Sequence, residues 1–191
     1  GTSKAYGNMF WAGLPLAVGD YVRKPAAPFA EGLSSLFGLP GPLFACSGTA
    51  ALVVALKTLH RRAPDRHTVI MPAYTCPLVP LATRLVPGLR AVVCDTLPGG
   101  VDCDPRHLGA LCDKHTLAVI PTHLGGRVAN VETAVSIAAR HGAFVIEDAA
   151  QAMGAVAENG RSVGLRGDAG FFSLAAGKGL TTYEGGVLVS R

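Results

Sequence analysis

The sequence predicts an α/β fold: a three-layer α/β/α sandwich built on a mostly parallel sheet. Two observations carry this expectation. Short apolar runs of strand type alternate with helical stretches from residue 43 onward, and no repeat or low-complexity linker interrupts the alternation. A parallel sheet is covered on both faces, so the intervening helices supply the outer layers.

Residues 43–46 form the first run and end at Ser47-Gly48-Thr49, after which residues 50–59, rich in Ala, Leu and Val, read as a helix. Strand-like runs recur at 69–71, 91–94 and 118–121, with helices at 78–85 and 105–111. A helix at 130–141, a strand at 144–147 and runs at 169–173 and 186–190 complete the pattern. Residues 25–42 are rich in Gly and Pro, which predicts an N-terminal segment of loops over 1–42 and a single domain over 43–191. In open α/β sheets ligands lie beyond the carboxyl ends of the strands. Ser47, Tyr74, His123, Asp148 and Ser173 all fall at or just after such ends.

Composition narrows the function classes. Hydrophobic residues make up 49% of the 191 and charged residues 16%, which describes a globular chain rather than a disordered one. The net charge of +4 is scattered, and no basic run is interleaved with aromatics, so nucleic acid is not an expected partner. Residues 9–18 are mildly apolar but broken by Gly13 and Pro15, too short for a membrane span or a signal peptide, so the expected location is cytoplasmic. Five cysteines, an odd number without a CxxC pair, favour free thiols in a reducing compartment. Cys103, His107, Cys112 and His115 lie close in sequence, but their spacing is not that of a zinc site and no metal is expected.

The chemistry concentrates in the second half. Lys178 stands among Ala175, Ala176, Gly177 and Gly179, which leave nothing to shield it, and apolar runs on both sides predict its burial. Asp148 ends the apolar run Val145-Ile146-Glu147, where a buried carboxylate needs a cationic or hydrogen-bonding partner. An amine for a Schiff base and a carboxylate for a protonated pyridine nitrogen are the two groups that pyridoxal phosphate requires. Gln151 adds an amide that can reach the ring's phenolic oxygen. Ser47-Gly48-Thr49-Ala50 sets hydroxyls and small residues at a helix start, suited to a phosphate, and Ser173 offers a second hydroxyl. Each residue also has an ordinary reading: Ser47 as a helix cap, Asp148 in a turn or an ion pair, Lys178 at the surface.

Taken together, Ser47-Gly48-Thr49-Ala50-Ala51-Leu52, Met71-Pro72-Ala73-Tyr74-Thr75, Pro121-Thr122-His123-Leu124-Gly125-Gly126, Glu147-Asp148-Ala149-Ala150-Gln151 and Gly167-Asp168-Ala169-Gly170-Phe171-Phe172-Ser173 through Lys178 to Gly185-Gly186 resemble the DegT/DnrJ/EryC1/StrS family. These are pyridoxal phosphate aminotransferases of fold type I, mostly acting on sugars. The resemblance implies that Lys178 bonds the cofactor, Asp148 faces the pyridine nitrogen, Gln151 meets the ring oxygen, and Gly48, Thr49 and Ser173 hold the phosphate. Family members stack an aromatic on the ring where this chain has Cys76, so either Cys76 or Tyr74 takes that place. Some members carry histidine for the lysine and act as dehydratases; Lys178 points to the aminotransferase branch.

The activity implied is a ping-pong transfer from an amino acid, glutamate by resemblance, to a keto or aldehyde acceptor such as a nucleotide-linked sugar. A homodimer with the site at its interface is implied as well. Family chains are about twice this length, so the sequence reads as the large-domain portion, without the small C-terminal domain. Two alternatives stay open: another fold type I pyridoxal phosphate enzyme, and a non-catalytic module that binds the cofactor for regulation or interaction.

Overall fold

A computed structural model describes residues 28–190. The apolar stretch at 9–18 and the start of the Gly/Pro-rich segment lie outside the described residues.

Within them, seven strands form one sheet: β1 (Leu43–Ala45), β2 (Thr68–Pro72), β3 (Arg90–Cys94), β4 (Thr116–Val119), β5 (Phe144–Asp148), β6 (Ala169–Ser173) and β7 (Gly186–Ser190). Their order across the sheet is β1-β7-β6-β5-β4-β2-β3. Pairs among β2, β3, β4, β5 and β6 are parallel, and β7 runs antiparallel to both β6 and β1. Strands β2 and β4 are buried at every position, as central strands covered on both faces must be.

Alternation along the strands divides the core into two layers. Val69, Met71, Ile146 and Phe171 pack against α2 (Gly48–Arg62) and α3 (Leu78–Arg84). Ile70, Val119 and Val145 face the other way, onto α4 (Pro105–Leu111) and α5 (Val131–Arg140). Phe172, Val187 and Val189 extend this second layer and pack with Leu33 and Leu39. The three-layer sandwich expected from the alternation is therefore what the chain forms.

Local chemistry explains the helix starts. Ser47 Oγ accepts the Ala50 N–H at 3.0 Å, Asp104 accepts the Arg106 N–H at 2.8 Å with Pro105 behind it, and Asn130 accepts the Thr133 N–H at 3.1 Å. The expectation of loops before residue 43 is corrected by α1 (Phe29–Phe37), which buries Leu33. Its Pro and Gly punctuate the helix rather than break it: Pro28 precedes the first turn, and Gly38, at φ +63°, closes the last. Among the described residues no helix is long and apolar enough to cross a membrane.

Candidate active site

Three strand ends and one helix start converge at the carboxyl edge of the sheet. β4 leads into Thr122 and His123, β5 ends in Asp148, β6 ends in Ser173, and α2 begins at Gly48. They enclose a cavity of about 340 Å³, which Thr49, Cys76, Gln151 and Lys178 also line. A larger crevice of about 580 Å³ lies elsewhere, lined by Asp102, Glu132, Glu158 and Arg166, and holds none of the predicted site residues.

Asp148 is held by its backbone. Its N–H donates to Pro121 O and its carbonyl accepts from His123 N–H, both at 2.9 Å. Oδ1 accepts the Ala150 N–H at 3.0 Å, and the other carboxylate oxygen has no hydrogen-bond donor among the described residues. With 3% of its surface exposed, Asp148 is pushed by burial up to about 6, which the Ala150 N–H offsets only in part. A cationic N–H entering the cavity would meet a carboxylate short of partners.

Gln151 is oriented by Gly125, whose N–H donates to Oε1 at 2.8 Å. That bond fixes which end of the amide is oxygen and leaves the NH₂ as a donor at the cavity wall. At the helix start, Gly48 and Thr49 precede any intrahelical acceptor for their N–H groups. Gly48 lies so close to Ser173 that a Cβ there would be 3.1 Å from the serine's own. Gly186, paired with Ser173 across β6 and β7, has even less room, since a Cβ would run into the Ser47 carbonyl. Gly186→Ala is expected to displace the start of α2 and to destabilise the fold by about 1–3 kcal/mol, measured as a shift in the urea midpoint; an unchanged midpoint would mean that this close approach is not needed.

Lys178 sits in a turn between β6 and β7. Its N–H donates to Ala175 O at 3.1 Å, Gly177 takes φ +85°, and the loop is pinned by Ala176 N–H to Tyr183 O and Leu174 N–H to Gly185 O, each at 2.9 Å. The side chain is half-buried rather than buried as expected, because Ala176, Gly177 and Gly179 are themselves exposed and cover little. Its amine makes no hydrogen bond among the described residues.

Gly48, Thr49, Cys76, Asp148, Gln151, Ser173 and Lys178 therefore share one cavity, and Tyr74 does not line it. Tyr74 is 63% exposed in the turn after β2, where the next residue turns inward and Thr75 Oγ1 meets Thr122 Oγ1 at 3.0 Å. The cysteines and histidines near residue 107 scatter: His107 Nδ1 accepts the Asp95 N–H, His115 stacks on His67 with ring centroids 5.1 Å apart, and Cys112 is buried among core residues.

The sequence profile of the DegT/DnrJ/EryC1/StrS aminotransferase family matches residues 16–191. The chain belongs to this family. Pyridoxal phosphate is the cofactor of DegT/DnrJ/EryC1/StrS aminotransferases. The L-glutamine:2-deoxy-scyllo-inosose aminotransferase of Streptomyces fradiae is 36% identical over 163 residues, covering 85% of this chain and 38% of the relative. A pleiotropic regulatory protein of Geobacillus stearothermophilus is 35% identical over 176 residues, covering 91% of this chain and 45% of the relative. The crystal structure of DesI in the presence of its TDP-sugar product superposes with a TM-score of 0.73 at 34% identity, covering 85% of this chain and 40% of that one. The chain thus spans less than half the length of these relatives.

Ser47 and His123, expected near the site from their places at strand ends, line the cavity as well. Thr122 and Leu124 join them without a signal in the sequence, since neither carries distinctive chemistry.

Proposed function

We propose that this chain forms the cofactor-binding part of a pyridoxal phosphate-dependent aminotransferase, which moves an amino group from an amino acid to a carbonyl acceptor of the sugar type. One observation carries the reading: Lys178, Asp148, Gln151, Ser173 and the start of α2 line a single cavity. The donor set fits the cofactor. Asp148 has an open carboxylate oxygen for the protonated ring nitrogen, and the Gln151 NH₂ suits the ring oxygen. Gly48, Thr49 and Ser173 would hold the phosphate at a helix N-terminus, and Cys76 would cover one face of the ring.

When bound, pyridoxal phosphate supplies an electron sink for a substrate's α-carbon. The Lys178 amine would anchor the cofactor and, when free, would serve as the base that moves the α-proton. Asp148 would stay ionised against the ring's positive charge. Leu78 on the cavity wall, Leu81 on α3 and Leu85 just after that helix are exposed, an apolar patch of the kind a second subunit covers, which supports a homodimer closing the site. The chain is read as cytoplasmic.

The donor separates the readings. Glutamate is the donor expected from the sequence, whereas the relative from Streptomyces fradiae is named for L-glutamine. Protein loaded with pyridoxal phosphate is expected to lose its visible absorbance on addition of one of these two amino acids, with the matching keto acid appearing in solution. A loaded protein that neither donor converts would favour the non-catalytic binding module, the reading that the relative named as a regulatory protein supports.

A further inference from the structure

We infer that His123 is a positioning residue for Asp148, acting through Glu147 at the buried end of β5; the inference rests on the reading of Asp148 as the partner of the cofactor's ring nitrogen. The His123 ring is fully buried and both of its nitrogens are committed. Ala129 N–H donates to Nδ1 at 3.0 Å, so Nδ1 must present a lone pair and the ring proton sits on Nε2. That proton is donated to Glu147 Oε2, 2.9 Å away. The ring therefore has no free donor or acceptor with which to compete for the open oxygen of Asp148.

Glu147 is fixed in its turn. Its carboxylate accepts the N–H groups of Gly164, Arg166 and Gly167, and the Arg166 Nε lies 3.6 Å away. Burial alone would raise its pKa, but His123 and the three backbone donors outweigh it and hold the group below the usual carboxylate range. Glu147 and Asp148 are consecutive strand residues, so their side chains leave opposite faces of β5. Glu147 anchors the underside of the strand end that presents Asp148 to the cavity, and the His123 N–H anchors its carbonyl. Glu147 itself does not line the cavity.

Two measurements test this. A ¹⁵N spectrum of the histidine-labelled protein without cofactor, with the His123 signal assigned by its loss in His123→Gln, is expected to show the proton on Nε2 and none on Nδ1. The opposite tautomer, or a doubly protonated ring, would overturn the arrangement regardless of any cofactor. Titration with pyridoxal phosphate then reads the consequence. His123→Leu, which keeps bulk only, is expected to bind about tenfold more weakly, while His123→Gln, with one donor and one acceptor, recovers most of the loss. In an Asp148→Asn background the same His123→Leu change should add little, because the residue it positions has already been disabled. Unaltered binding by His123→Leu, or losses that add in full, would overturn the positioning role. If His123→Leu does not fold, the glutamine variant and the tautomer decide. Failure of the unmodified protein to bind would overturn the functional reading, and the positioning role with it, while leaving the tautomer result intact.

Discussion

Lys178→Ala is expected to abolish the visible absorbance that the protein acquires with pyridoxal phosphate and to slow amino-group transfer by about 10²–10⁴-fold or more. The lysine has two duties in this reading, anchoring the cofactor and moving the α-proton, and no other amine lines the cavity among the described residues. Its side chain is half-buried and makes no hydrogen bond among the described residues, so its loss should change stability by only about 0.5 kcal/mol. An intact fold with the chemistry removed is the diagnostic combination. A variant that keeps the absorbance places the covalent link elsewhere.

Asp148→Asn is expected to act in opposite directions on stability and on binding. The carboxyl of cofactor-free Asp148 is raised by burial from 3.8 to about 6, so its contribution to stability is fully present below the unfolded value and is lost as the pH rises through 6. At pH 7.5 the cofactor-free asparagine variant should therefore be more stable than the native chain, by up to about 3 kcal/mol. The gap should close below about pH 4. Cofactor affinity moves the other way, because a charge-assisted hydrogen bond contributing about 1.5–3 kcal/mol is replaced by a neutral one. The two effects are read from urea midpoints across pH without cofactor and from titration with it. Equal stability of the two proteins at pH 4 and pH 7.5 would remove Asp148 as a strained, waiting carboxylate.

The fold was legible where burial on both faces forces unbroken apolar runs, as at residues 69–71 of β2, 117–119 of β4 and 144–146 of β5. Strand direction was less so: nothing in the apolar pattern of residues 186–190 distinguishes an antiparallel β7 from a parallel one. Helix α1 escaped notice because its proline and glycine look the same in a loop as at helix ends. In the site, residues with distinctive chemistry were found and their surroundings were not. Asp148 was recognisable as a carboxylate ending an apolar run, yet the His123–Glu147 contact joins residues 24 apart in sequence and depends on two parallel strands lying side by side. Tyr74 was an expectation that a single turn residue defeated. Which way a side chain faces after a strand ends depends on the turn, and Thr75 took the inward place.

The central claim is that Lys178 bonds the cofactor in the cavity floored by Asp148. Reduction of the pyridoxal phosphate-loaded protein with borohydride, followed by peptide mass mapping, tests it most directly. A phosphopyridoxyl group on the peptide that contains Lys178, absent when Asp148 and Lys178 are both replaced, is the predicted result. Modification spread over surface lysines, or confined to a lysine outside the cavity, would contradict it.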